Sequence, residues 1–330
     1  MKIFIIGEVI GNRDEGMKNT SYSIYTELKK IGYDVSALSP KKFFYPSFWR
    51  EIKKFNPEIV HYIAGPSIIS FIILKFLKIY CRNVKTLMSV IHPKYLLSKR
   101  IISILSPDLM LIQTYDMEEL CKDIKCDFTF LPNGVDTKKF QPVNHDLKKR
   151  LREKFNVAHD KFVVLHVGNI RKGRNLSVFK KINHEDVEVI IVSSGTISKD
   201  ETHYQELNQY GFRIIDEYIP NIDEMYNLAD CYVFPTFKRH NCIEMPLSVM
   251  EAMSCNIPVI STKFGALPRV FEEGDGLIFA NNEDEIINGI TKLKLRIEEI
   301  HVRDKILAYS WFEVVKELTG IYLHILDRNE

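Results

Sequence analysis

In LPNGVDTKKFQPVNHD, residues 131–146, a regular rhythm stops. The stretch is polar and turn-rich, with Pro132, Asn133-Gly134 and Pro142. Before it, short apolar runs alternate with helix-sized segments: KIFIIG (2–7), YDVSALS (33–39), EIVHYI (58–63), VKTLMSV (84–90), LMLIQT (109–114) and FTFLP (128–132). After it comes a charged helix, DLKKRLREKF (146–155), and the alternation restarts. The later runs are FVVLHVG (162–168), VEVIIVSS (187–194), FRIIDE (212–217), CYVFPT (231–236), PVIST (258–262) and GLIFA (276–280). Runs apolar on both faces, spaced by helices, predict parallel sheets covered on both sides. The pause divides them into two doubly wound α/β domains, 1–142 and 143–309. The tail YSWFEVVKELTGIYLHILDRNE has helical spacing, and Ser310 with Glu313 forms a capping-box pattern at its start. Ligands of such sheets bind at the carboxyl ends of the strands, so the expected site is the cleft between the domains.

Length and composition agree. The 330 residues suit two domains, and 45% hydrophobic content is ordinary for a globular chain. A formal charge of +2 argues against a dedicated nucleic-acid binder. The opening apolar run, Ile3 to Ile6, is too short for a signal peptide, and SIISFIILKFLKIY (67–80) is too short and too basic to span a bilayer. A cytoplasmic protein with six free thiols and no zinc site is expected, because no C-x-x-C pair is present.

Several stretches carry candidate chemistry. After the first strand, the glycines fall at Gly7, Gly11 and Gly16, so the G-x-G-x-x-G spacing is absent. Gly16 before a helix is either an ordinary loop residue or a point where backbone approaches an anion. HVGNIRKGRN (166–175) places Arg171, Lys172 and Arg174 beside Gly168 and Gly173, ahead of an expected helix. It is either a solvated basic turn or a diphosphate site. In CIEMPLSVMEAMSCNIPVIS (242–261), Pro246 fits the first helical position and Asn256 the left-handed end. Glu251 sits among apolar neighbours on that helix, so it points to solvent or faces a ligand. His61 and His92 lie at strand ends, where a structural role is the commoner one. His92 is the better placed to reach a cleft. With no D-x-D, no metal is expected, and cations with a helix N-terminus would balance a departing diphosphate.

In this order the segments resemble the GT-B glycosyltransferases, specifically glycosyltransferase family 4, over nearly the full length. The carriers are LPNGVDTKKFQP, HVGNIRKGRNL, EYIPNIDEMYNLADCYVFPT, EMPLSVMEAMSCNIPVISTKFGALP and SWFEVVKELTGIYLHIL. The resemblance implies two Rossmann-like domains and a closing helix (310–330) that crosses back to the first. It implies transfer of a sugar from a nucleotide-sugar donor, such as a UDP- or GDP-sugar, with retention and without metal or other cofactor. By position it implies Glu251 for the donor ribose. Leu247, Ser248, Gly16 and Lys172 would serve the diphosphate, and Tyr218 and Ile219 the base. His92 and Glu244 would act at the transferred sugar. There are departures. Asn169 stands where the family has an arginine, so Arg171 or Arg174 takes that role; Ala266 replaces a glycine. Counting back along E-x7-E from Glu251 lands on Ile243, so Glu244 is one place late.

That offset keeps open a catalytically silent nucleotide-binding or partner protein, and more remotely a sugar-nucleotide epimerase. The segments 41–55 and 70–85 mix aromatics with lysines and arginines, which suits an anionic membrane surface and a glycan or lipid-linked acceptor in cell-envelope synthesis. Helices packed on a sheet are also apolar on one face, so the same segments could be core.

Overall fold

The structure, a computed structural model, describes residues 1–11, 15–92, 99–182, 185–195, 199–239, 242–296 and 299–327. By compactness the chain forms two units: Met1–Gly134 with Cys242–Met245 and Trp311–Glu330, and Val135–Asn241 with Pro246–Ser310. The four residues Cys242–Met245 therefore belong to the first unit, although the sequence around them reads as part of the second.

In the first unit the strands are β1 (Lys2–Ile6), β2 (Asp34–Leu38), β3 (Ile59–Gly65), β4 (Lys85–Val90), β5 (Leu109–Ile112) and β6 (Phe128–Phe130). They form one sheet in the order β2-β1-β3-β4-β5-β6, parallel throughout. Its helices are α1 (Gly16–Ile31), α2 (Pro46–Phe55), α3 (Ile68–Tyr80), α4 (Lys99–Leu105) and α5 (Tyr115–Ile124). Ile3 to Ile6 are wholly buried, as a strand covered on both faces must be. Local chemistry sets the helix ends. Gly32, at φ 100, closes α1 in the left-handed region that glycine enters without strain. Ser67 and Ser70 cap α3 reciprocally.

The second unit repeats the plan with β7 (Phe162–Val167), β8 (Val187–Ser193), β9 (Arg213–Asp216), β10 (Cys231–Phe234), β11 (Val259–Thr262) and β12 (Leu277–Ala280). The order is β12-β11-β10-β7-β8-β9, again parallel. The α-helices are α6 (His145–Lys154), α7 (Glu201–Gln209), α8 (Ile222–Leu228), α9 (Leu247–Ser254), α10 (Leu267–Val270) and α11 (Glu283–Lys294). Every expected strand is present, so both sheets match the doubly wound expectation.

Two local expectations fail. The segment after β7 is no α-helix: it forms two short 3-10 turns, Lys172–Arg174 and Leu176–Lys181. Asn175, at φ 58, separates them, and a left-handed residue cannot continue a right-handed helix. Pro246 precedes α9 instead of opening it, because its ψ of 120° is extended.

The tail is α12, Trp311–Asp327, within the first unit; residues 328–330 lie outside the described residues. His61 holds it. The buried ring has Nδ1 2.6 Å from the Tyr322 hydroxyl and Nε2 2.7 Å from Ser89 Oγ. Burial pushes the His61 pKa down to about 3, so the ring stays neutral and bridges helix to sheet. At Gly134 any side chain would collide with α12, since a Cβ would stand 2.6 Å from Trp311 Cε3.

Candidate functional site

The candidate residues fall into one cluster on each unit. On the first, the segment Cys242–Met245 is held at three points. A Cβ on Gly16 would lie 2.7 Å from Ile243 Cδ1, so a glycine is what lets α1 begin so close to it. The Glu244 backbone N–H donates to Ile91 O at 2.9 Å, and Asn133 Nδ2 donates to Met245 O at 2.9 Å. His92 follows Ile91 directly, half-buried past the end of β4. The segment thus brings Gly16, His92 and Glu244 into one neighbourhood at the carboxyl ends of β1 and β4. Glu244 is 1% exposed, too buried for a solvated surface acid.

On the second unit the cluster lies at β7 and β10, the point where strand order reverses. Gly168 follows β7. Beside it stands Arg174, 7% exposed, with its guanidinium carbon 5.9 Å from the Phe234 ring centre. Its Nε is buried without an acceptor, and among the described residues no carboxylate pairs with it. Asn175 Nδ2, next in the chain, is likewise buried without a partner. Arg171 and Lys172 are exposed. A buried cation without a counter-charge is costly, and an anionic ligand would supply the missing charge.

The first turn of α9 completes this cluster. The Tyr232 hydroxyl lies 2.7 Å from Ser248 Oγ and 3.4 Å from Val167 O, tying α9 to the end of β7. No side chain caps α9 and its first turn holds no acid, so its leading N–H groups at Leu247 and Ser248 are open to an anion. One turn on, Glu251 is 9% exposed and therefore does not lie on a solvent stripe. Its Oε2 accepts from the Tyr226 hydroxyl of α8 at 2.7 Å. Burial, only partly offset by that bond and by Lys139, lifts the Glu251 carboxyl to about 7.

Tyr218 and Ile219 follow β9, the edge strand two places from β7. Tyr218 is exposed and Ile219 half-buried. The sequence offered no signal for Tyr226 or Tyr232, which reach Glu251 and Ser248 through the fold alone.

Residues 161–294 match the protein family described as glycosyl transferases group 1. Among curated proteins, the α-galactosylglucosyldiacylglycerol synthase of Streptococcus pneumoniae is 23% identical over 167 residues, 47% of this chain and 43% of that protein. The sulfoquinovosyl transferase of Arabidopsis thaliana is 25% identical over 287 residues, 78% of this chain and 53% of that protein. The matches thus span about half the length of these relatives. Among solved structures, Anabaena HepE in complex with UDP and glucose superposes with a TM-score of 0.75 at 14% identity, covering 98% of this chain and 100% of that one. Residues 161–294 thus carry a region similar to the group 1 glycosyl transferases, and the chain shares with the solved structure the GT-B fold of two Rossmann-like sheets.

Proposed function

We propose that this chain transfers a sugar from a nucleotide-sugar donor to an acceptor hydroxyl, with retention and without a metal ion. The observation that carries the reading is Arg174, buried without a counter-charge beside Gly168 and the open first turn of α9. Arg174, Lys172, Leu247, Ser248 and Gly16 hold the donor diphosphate, Glu251 the ribose, and Tyr218 and Ile219 the base. The bond from anomeric carbon to phosphate oxygen breaks, and its electron pair leaves with the nucleoside diphosphate. The acceptor oxygen bonds the same face of that carbon and passes its proton to a phosphate oxygen. Fixed cations and N–H groups stabilise the charge that develops on the leaving group. His92 and Glu244 act at the sugar. HepE, solved with UDP and glucose, supports a sugar nucleotide as donor.

A panel of UDP-, GDP-, ADP- and dTDP-sugars tests the donor class. One nucleotide class should raise the melting temperature, since a ligand that binds only the folded state stabilises it by mass action. Activity should survive EDTA. A panel with no shift and no donor hydrolysis would sink the reading, and the catalytically silent partner protein would take its place.

The acceptor is proposed to be lipid-linked, reached from an anionic membrane surface. In 41–55 and 70–85, Phe48 and Phe71 are core residues, yet Phe44 is 76% and Ile79 73% exposed. Phe76 and Tyr80 are also exposed, each near the Trp49 ring, and Lys53 stands 4.7 Å above Tyr80. Exposed aromatics with interleaved cations suit the headgroup region. No helix among the described residues is long and apolar enough to cross a membrane, so this contact would be peripheral. The named product of the S. pneumoniae relative, a glycosylated diacylglycerol, points to the same acceptor class. Cosedimentation with phosphatidylglycerol vesicles, weakened by Phe44→Ser with Phe76→Ser, is the expected result. Equal recovery on neutral phosphatidylcholine vesicles at all salt concentrations would contradict it.

A further inference from the structure

The carboxyl end of β7 holds a buried histidine that no role above uses. His166 is wholly buried, and its Nδ1 is 2.9 Å from Val233 O on the neighbouring β10. A carbonyl only accepts, so Nδ1 carries the proton and Nε2 of the neutral ring is an acceptor. That Nε2 is buried and has no partner. The space over Gly168 shows what it faces. A Cβ built on Gly168 would have three nearest atoms: His166 Nε2 at 3.0 Å, Arg174 Nη1 at 3.5 Å, and His166 Cε1 at 3.7 Å. An orphaned acceptor and an orphaned cation thus border the one spot that a side chain on residue 168 would fill.

We infer that His166 is a positioning residue for Arg174: on donor binding its Nε2, which has no partner in this structure, accepts from the guanidinium and so aims the remaining N–H groups at the diphosphate. This rests on the reading of Arg174 as a diphosphate ligand. The arrangement is complementary on every side. The Phe234 ring lies 5.9 Å from the guanidinium carbon, and Gly168 leaves the approach to Nε2 open. His166 must stay uncharged, because an imidazolium would repel Arg174 and would have no lone pair to offer. Burial, with Arg174 itself nearby, pushes its pKa down to about 3. The ring also stacks on Tyr232 at 6.3 Å between centroids and 14° between planes. Tyr232 is the residue tied to Ser248, so one aromatic pair sets both the cation and the first turn of α9.

Asparagine and glutamine separate the two nitrogens. His166→Asn keeps a donor for Val233 O and loses the acceptor, whereas His166→Gln places an acceptor near the Nε2 position and loses the strand bond. Inorganic pyrophosphate, UDP, GDP, ADP and dTDP are titrated calorimetrically into each variant of the full chain, with melting temperature recorded alongside. His166→Asn should weaken the tightest of these about tenfold, and His166→Gln should stay within about threefold of the parent. In an Arg174→Ala background, His166→Asn should cost nothing further. The inference is overturned if His166→Asn binds like the parent, or if its loss adds in full to that of Arg174→Ala. The second comparison decides even if the glutamine variant fails to fold. If Arg174→Ala itself leaves binding unchanged, it is the diphosphate reading that fails.

Discussion

Arg174→Ala is expected to lower nucleotide-sugar turnover by about 10²–10³-fold while leaving the melting temperature unchanged or higher. The two halves of that outcome come from one observation, and a second buried arginine shows why. Arg152 is 6% exposed, much like Arg174 at 7%. Arg152 is satisfied, however: Nη2 pairs with Asp230 at 2.5 Å, Nε donates to Leu228 O at 3.1 Å, and Nη1 to His159 O at 3.1 Å. Removing Arg152 would leave Asp230 with Lys148 and the Val163 N–H but would unpair the carbonyls of Leu228, His159 and Lys161, so Arg152→Ala should destabilise the fold by about 1–3 kcal/mol. Arg174 has no such partners to strand. In the proposed reading, the donor diphosphate supplies the counter-charge that Arg174 lacks among the described residues. Chemical denaturation and donor turnover, measured on both variants, separate the cases. If Arg174→Ala destabilised like Arg152→Ala and kept turnover, Arg174 would be a structural residue.

Glu251 should make both stability and nucleotide affinity depend on pH, in opposite senses. Its folded-state pKa, about 7, lies above the ordinary glutamate value of 4.5 because burial penalises the charge. The folded state therefore keeps a proton that the unfolded chain has released, and stability falls as pH rises from 4.5 to about 7. The loss is complete above the folded pKa and amounts to at most about 3 kcal/mol. Glu251→Gln should then raise the melting temperature at pH 8 and leave it unchanged near pH 4. A ribose diol would donate to the ionised carboxylate and favour that form. Nucleotide affinity should thus increase from pH 6 to 8 with release of a proton, and Glu251→Gln should abolish that trend and weaken binding about tenfold or more. Lys139, Asp223 and Tyr226 also act on this carboxyl, and the glutamine variant separates its titration from theirs. Calorimetry in buffers of different ionisation enthalpy counts the proton. An affinity flat across this range, with no proton released, would remove Glu251 from the ribose.

The strands were legible because a parallel sheet buried on both faces writes itself as short apolar runs, as in FVVLHV of β7. The candidate residues were legible only where loop chemistry concentrates in one stretch, as in RKGRN. What the sequence hid were pairs distant along the chain. Tyr226 and Glu251 lie 25 residues apart, and His61 and Tyr322 261 apart, with nothing in either vicinity announcing the partner. The expected helix after β7 failed because one residue, Asn175, took a left-handed conformation that several residue types can adopt. The assignment of Cys242–Met245 to the first unit was hidden for a related reason, since it is accompanied by a backbone bond to Ile91 and by a bond from the Asn133 side chain, 112 residues distant along the chain.

The place of α12 sets an order in time. A ribosome delivers all of Val135–Ser310 before it reaches Trp311. As the nascent chain lengthens, His61 can meet Ser89 early, but Tyr322 is made 261 residues after His61. Until then the sheet begun first lacks the helix that covers this histidine, while the sheet begun second has its complete set of strands. The unit that starts emerging first is thus the last to be finished.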